Sequence, residues 1–424
     1  MSLTRPKVVY WNHSPTPYFV ERFNALVDRG GLDFEAWFND RREPSRSWEV
    51  NESQWRFRAR YIPRRPLLGW NERVPVAELR VTRPDVLVQE YDRSHLTAGF
   101  LAARALAGRT AFRVLPNFDS WSERTWWREA GKQLVFRAVD GAKVPGDQGR
   151  ALAERYGLSA ARIERVTQSV DVERLAAASA ASASERERRR AELGLKGCVF
   201  IYVGRLWSGK GTDTLLDAYE GLVQAGREVS LLLLGDGPDE QRYRARATQL
   251  PRVHFAGFIQ ASEIADYYGL ADAMVFPTLG DPHGLVVEEA MVAGLPVICT
   301  TAAGDIAARL PDGECGLLVP PCDRAALQRS MLALADDAPS RRAMGARAAA
   351  LASARNHARY AEDFEAFITA VLARGPRRTA AAMMARAAGH GIALAARGHA
   401  CAPLIATAAG PLATPSHNGA GATL

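Results

Sequence analysis

The chain has 424 residues, enough for two domains and a tail, and its 47% hydrophobic and 24% charged residues are those of an ordinary globular protein. A formal net charge of +7 suits an anionic partner, but no Lys/Arg block, zinc-finger spacing or RNA-binding signature is present, so a nucleic-acid partner is not expected. Five cysteines without CxxC spacing read as reduced thiols of a cytoplasmic protein, the first residues lack the apolar run of a signal peptide, and no run of about 18 apolar residues predicts a membrane span.

Residues 7–11 form a short apolar strand, ended by Asn12-His-Ser-Pro-Thr-Pro17. Phe19, Phe23 and Leu26 then recur at i, i+4 and i+7, which predicts a helix. Strand, loop and helix in this order open a doubly wound α/β domain, whose ligands bind beyond the carboxyl ends of the strands. His13 and Tyr18 are therefore cleft candidates, with a plain surface turn as the alternative. Residues 33–73 interleave aromatic and basic side chains, among them Trp48, Trp55 and Trp70, in a pattern of strands joined by a long loop. Core and rim packing, or stacking on sugar rings, both account for such tryptophans.

The next strand, 85–89, is followed by a helix over 96–106 and a strand over 112–115. The loop after it, 116–121, carries Asn117 and Asp119 toward the same cleft. Residues 121–136 hold Trp126, Trp127, Arg128 and Lys132; they read as a surface helix, with a peripheral contact to an anionic membrane surface as the alternative. The Ala-, Ser- and Arg-rich stretch 171–190 is the natural boundary, which sets a first domain at 1–180.

The second half alternates more regularly. Strands at 199–203, 230–234, 253–255, 273–276, 296–299 and 316–319 are separated mostly by helices, which predicts a parallel sheet covered on both faces. This second domain spans 181–355 and a last helix follows at 356–374. From 375 to 424 the composition narrows to Ala, Gly, Pro and Thr with scattered Arg, which predicts a weakly structured tail.

Two stretches of the second domain carry chemistry. Gly204-Arg205 and Lys210-Gly211 put two cations on one strand-to-helix loop, without the spacing of a Walker A or a GxGxxG fingerprint. Such a loop suits a diphosphate that leaves during reaction. In the stretch 276–298, Asp281 and Glu289 flank a helix start at Gly284, Leu285 and Val286, whose backbone N–H groups can face an anion. Glu289 is placed to accept hydrogen bonds from vicinal hydroxyls such as those of a ribose, and Asp281 from those of a sugar.

Taken in order, Gly204-Arg205-Leu206, Lys210-Gly211, Leu233-Leu-Gly-Asp-Gly237, Val253-His-Phe-Ala-Gly257 and Asp281-Pro-His-Gly-Leu-Val-Val-Glu-Glu289 resemble the donor domain of retaining GT-B glycosyltransferases of family four. The resemblance covers roughly residues 199–372 and is weak over the first half. It implies an α/β GT-B fold, with two Rossmann-like domains facing across a cleft and the last helix crossing back to the N-terminal domain. It also implies transfer of a hexose, with retention and without a metal or other cofactor. The donor would be a nucleotide-diphosphate sugar, UDP or GDP, and the acceptor a glycan, lipid-linked or polysaccharide molecule. By the same resemblance Arg205 and Lys210 hold the diphosphate, with Gly204, His283, Gly284, Leu285 and Val286 around it. Glu289 holds the ribose, and Phe258 and Ile259 meet the base. Asp281 stands where the family has a Glu, which shortens its reach toward the donor sugar by one methylene. The family's cleft histidine is missing from 116–121, where Asn117 and Asp119 stand; His13 and His95 are the other candidates for its place. These departures leave a non-catalytic nucleotide-sugar-binding or assembly protein as the alternative reading.

Overall fold

The computed structural model describes residues 5–43, 46–91, 97–116, 125–179 and 183–405, so Asn117, Asp119 and His95 lie outside the described residues. Two parallel sheets organise the chain. The first contains β1 (Lys7–Asn12), β2 (Asp33–Phe38), β3 (Arg58–Tyr61), then, after the separate antiparallel hairpin β4 (Arg65–Leu67) and β5 (Trp70–Glu72), β6 (Val86–Glu90), β7 (Arg109–Arg113), β8 (Gly141–Val144) and β9 (Ile163–Arg165). Its order is β3-β2-β1-β6-β7-β8-β9. The second contains β10 (Cys198–Val203), β11 (Val229–Leu234), β12 (Val253–Gly257), β13 (Ala273–Phe276), β14 (Val297–Thr300) and β15 (Gly316–Val319), in the order β12-β11-β10-β13-β14-β15.

Period-two alternation shows why these runs make a doubly covered sheet. Val199, Ile201 and Val203 of β10 pack in one core with Leu232, Leu234 and Phe276. Cys198, Phe200 and Tyr202 pack in another, on the opposite face, with Leu231, Leu233 and Val275. Both faces are buried, so the strands read as continuous apolar runs. In each sheet the strand order reverses once, between β1 and β6 and between β10 and β13, and that reversal opens a crevice at the carboxyl ends of the strands. The loops that carry the candidate residues, after β1, β10 and β13, are those that flank the two crevices.

The last helix of the second half, His357–Ala373, is capped by Asn356, whose side chain accepts from the Arg359 N–H at 2.8 Å. It crosses back to the first domain, where Tyr360, Phe364, Phe367, Ile368 and Val371 join the core of Val8, Tyr10, Phe23 and Phe34. Helix Val172–Ser179, which a boundary at 180 leaves with the first domain, packs instead with the second: Val170 and Leu175 belong to the core of β10.

The weakly structured tail expected from 375 is a correction. As far as residue 405 the chain is ordered against the first domain, with a helix at Ala380–Ala395 capped by Thr379. Ala381 and Ala385 pack beside Phe100 and Phe136, and Ala393 and Ala396 beside Trp37. A Cβ on Gly389 would overlap the Leu101 carbonyl, so the small residues that look uninformative in the sequence let two backbones approach closely. No described helix is long and apolar enough to cross a membrane.

Candidate active site

Three loops of the second domain are stitched together at the carboxyl ends of β10, β11 and β12. Gly204 donates its N–H to the Leu234 carbonyl at 3.0 Å, Leu206 to that of Asp236 at 2.7 Å, and Gly235 to that of Gly257 at 2.7 Å. The Tyr202 hydroxyl donates to the Arg205 carbonyl at 2.9 Å, which fixes the turn that presents the Arg205 side chain. Gly211 has φ +70, and a Cβ there would overlap the Pro277 carbonyl, so only glycine lets this loop lie on the one after β13. Lys210 stands immediately before it.

Asp281 anchors the β13 loop. One carboxylate oxygen lies 2.5 Å from Lys210 Nζ, and the other accepts the His283 N–H at 2.8 Å. Gly284 follows with φ +73; a Cβ on it would come within 2.7 Å of the Phe276 ring. Helix Leu285–Val292 begins there. Val287 donates to the Gly284 carbonyl at 3.0 Å, whereas the amides of Gly284, Leu285 and Val286 have no hydrogen-bond partner among the described residues. They point the positive end of the helix at the space beside Lys210.

The adjacent glutamates of this helix differ sharply. Glu288 is fully buried and held by Arg309 and by Arg355 at 3.2 Å, with the His283 imidazole 3.6 Å away. Burial, and then the nearby Arg309, push the His283 pKa well below its ordinary value, so the ring is neutral. Glu289 accepts from the Tyr268 hydroxyl at 2.8 Å, and the phenol of Tyr18 stands close to it from the first domain. Burial raises the Glu289 pKa, and the two phenols offset part of the rise.

Between the domains, Gly204, Arg205, Phe258, Ile259 and Val286 form one wall of a cavity of about 120 Å³; Tyr18, Arg46 and Trp48 line the other side. A second cavity, of about 220 Å³, opens at the crevice of the first sheet between the ends of β1 and β6, lined by Trp11, Asn12, His13, Arg73, Gln89 and Glu90 among others. No group of His, Cys, Asp and Glu side chains able to hold a metal ion occurs among the described residues.

Residues 197–337 match the family described as glycosyl transferases group 1. Among curated relatives, D-inositol 3-phosphate glycosyltransferase of Kineococcus radiotolerans is 32% identical over 244 residues, covering 52% of this chain and 55% of the relative. Alpha-D-kanosaminyltransferase of Streptomyces kanamyceticus is 29% identical, covering 57% and 61%. The matched part thus spans little more than half the length of these relatives. Among solved structures, Anabaena HepE in complex with UDP superposes with a TM-score of 0.69 at 19% identity, covering 86% of this chain and 99% of that one. Sucrose-phosphate synthase from Thermosynechococcus elongatus gives 0.67 at 20% identity, covering 88% and 100%. Over residues 197–337 the chain is thus similar to the group 1 glycosyl transferases.

Its fold is GT-B, two Rossmann-like halves with parallel sheets, as the motif order implies. The structure brings Gly204, Arg205, Lys210, Asp281, Gly284, Leu285, Val286 and Glu289 to one crevice, with Phe258 and Ile259 at its far end. His283 enters through its backbone: its N–H closes the Asp281 turn, while the imidazole lies in the Glu288 network. His13 is exposed and lines the other cavity, beside Asn39, and not the crevice that holds Arg205. Sequence reasoning missed Tyr268, the Arg309 and Arg355 partners of Glu288, and the approach of Trp48. The Glu288-Glu289 doublet was the one available signal, because two adjacent acids on an apolar helix each require a partner when buried.

Proposed function

We propose that the protein is a retaining glycosyltransferase that moves a hexose from a nucleoside diphosphate sugar, with UDP or GDP as nucleotide, to a polyhydroxylated acceptor. The observation that carries this reading is the Lys210–Asp281 pair at 2.5 Å beside the unpartnered amides of Gly284, Leu285 and Val286. Lys210, Arg205 and those amides would receive the diphosphate; Asp281 would meet the sugar and Glu289 the ribose, in place of the Tyr18 phenol. As the bond from the sugar carbon to the phosphate oxygen breaks, the acceptor oxygen bonds to the same face of that carbon and its proton passes to the departing phosphate. Cations and helix amides fixed before reaction stabilise the charge that develops there. That assignment needs no metal and no histidine base.

Two further facts support the reading. The curated relatives are named as glycosyltransferases, and solved neighbours hold UDP or UDP-glucose. The cavity at the end of β1, with Trp11 as an apolar wall and Asn12, His13, Arg73 and Glu90 as polar groups, suits a glycan or other polyol as acceptor. A lipid-linked acceptor would bring the membrane to the face that carries Trp126 and Trp127, 83% and 55% exposed, with Arg128 over the Trp127 ring. Flotation with anionic vesicles at low and high salt reads that contact.

The test is release of nucleoside diphosphate from a panel of UDP-, GDP- and ADP-sugars, with and without acceptor extract, and the anomeric configuration of the product. Binding across the panel without release would favour a non-catalytic nucleotide-sugar-binding protein.

A further inference from the structure

The cavity between the domains is bounded on one side by residues that no family motif supplies. The segment Arg46-Ser47-Trp48-Glu49 leaves the first domain after β2 and reaches across to the loops that follow β11 and β12. Ser47 Oγ lies 2.6 Å from Asp236 Oδ2. Gln260 holds the segment twice, with its Nε2 donating to the Ser47 carbonyl at 3.2 Å and its Oε1 accepting the Glu49 N–H at 3.2 Å. Both anchors stand next to groups of the nucleotide site: Asp236 follows Gly235, and Gln260 follows Phe258-Ile259. The effect is to set the Trp48 ring in the cavity wall that faces Arg205, Phe258 and Ile259, with the Arg46 guanidinium 5.1 Å from the ring centroid.

We propose that Trp48 is a nucleobase-contacting residue, contributed by the first domain, and that Ser47 and Gln260 position it. The proposal rests on the donor-site reading above. Its ligand is the flat face of a pyrimidine or purine, which an indole held over an apolar floor can cover; Phe258 and Ile259 are that floor. Trp48 is only half-buried and belongs to no core cluster, so the packing of the fold does not account for its place. A structural role would instead be met by the two anchors alone. Because base–aromatic stacking is worth about a tenfold change in affinity or more, the contribution is measurable. Since every base has such a face, Trp48 sets affinity for the nucleotide more than the choice among bases.

The experiment is calorimetric titration of the full chain with UDP, GDP and ADP, repeated on Trp48→Ala, Trp48→Phe and Gln260→Ala, with thermal melts of each. The expected result is that wild type binds at least one nucleotide, Trp48→Ala weakens that binding about tenfold or more, Trp48→Phe recovers most of it, and all variants melt near wild type. Gln260→Ala, which loosens the segment and leaves the ring in place, should fall between. In donor kinetics the Trp48→Ala effect should appear in KM with kcat nearly unchanged. Wild type that binds no nucleotide overturns the donor-site reading itself. Wild type that binds, with Trp48→Ala equal to it, overturns the role of Trp48 and leaves the donor site standing. A Trp48→Ala loss that Phe does not repair and that tracks a lowered melting temperature assigns the segment a structural role only, and so also overturns the proposal.

Discussion

Lys210 sets its ammonium 2.5 Å from Asp281 Oδ2, joining two loops that are 71 residues apart in the chain. Both side chains are 16% exposed, so the pair sits at the mouth of the crevice and not in the core. It therefore adds little to stability, about 1 kcal/mol or less. It balances a cation that would otherwise face the positive end of helix Leu285–Val292. Lys210→Ala should accordingly lower the rate of nucleoside diphosphate release about 100-fold or more, because one charge-stabilising donor at the departing phosphate is lost. Its melting curve should stay close to wild type. A near-normal rate in a folded Lys210→Ala protein would remove the diphosphate assignment.

Glu289 makes a prediction of opposite sign for binding and for stability. Burial raises its pKa in the folded chain, and Tyr18 and Tyr268 offset only part of the rise. The folded state therefore holds the proton more tightly than the unfolded one. Its contribution to stability is present below the ordinary carboxylate value and is lost as pH rises through the window up to the raised value. Glu289→Gln should leave the melting temperature at pH 7 unchanged or higher, while donor KM rises steeply. In wild type, donor affinity should fall on acidification at a higher pH than an ordinary Glu would dictate, and that limb should vanish in the Gln variant. A destabilised Glu289→Gln protein with normal KM would show the residue to be structural.

How far the sequence was legible follows from which interactions are local. The alternation that put Val199, Ile201 and Val203 on one face and Phe200 and Tyr202 on the other is written in consecutive residues, so the second sheet could be read from it. The ordered motifs around Arg205, Lys210 and Glu289 were likewise readable, because the crevice is built from loops that directly follow strands. Tyr18 could be placed in the cleft from its loop, but the place of Trp48 could not be assigned, since the partners of its segment lie across the cleft and no period connects residue 48 with residue 260. The segment from 375 was misread for a different reason. Its stabilisation comes from closeness of approach at Ala and Gly, not from side-chain volume, and composition alone makes such a face look like low complexity.

Arg309 tests the buried network beneath the site. It pairs with Glu288 and also donates to the carbonyls of His283 and Gly304, the latter at 3.0 Å, so it ties helix Leu285–Val292 to the loop after β14. Arg309→Met leaves the fully buried Glu288 with Arg355 as its remaining guanidinium, and the loss of a buried partner costs about 3–5 kcal/mol. Urea denaturation should show a fall toward the lower end of that range. Pairing it with Glu288→Gln should recover more than half, because the uncompensated charge, and not the missing methylene packing, dominates. No recovery in the double variant would place the cost in packing instead.

The last helix makes the most direct test of the correction to the tail. Chain truncated after Gly375 loses the buried methyls of Ala381, Ala382, Ala385 and Ala393, on the order of 3 kcal/mol as an upper estimate. It also strips partners from Glu78 and Arg60. Fully buried Glu78 accepts the Ala402 N–H at 2.8 Å in addition to its bidentate contact with Arg65, and Arg60 donates to the Ala402 carbonyl at 2.7 Å. Leu101 and Ala105, which face Gly389, would be uncovered, and helix Ala98–Leu106 would present an apolar stripe to water. Differential scanning calorimetry with light scattering on the full chain and on residues 1–375 should show a lower midpoint and earlier association for the shorter one. Because neither cavity is lined by residues beyond 375, nucleotide binding at low temperature should persist in it. Equal midpoints for the two chains would show that the segment adds nothing to the stability of the first domain.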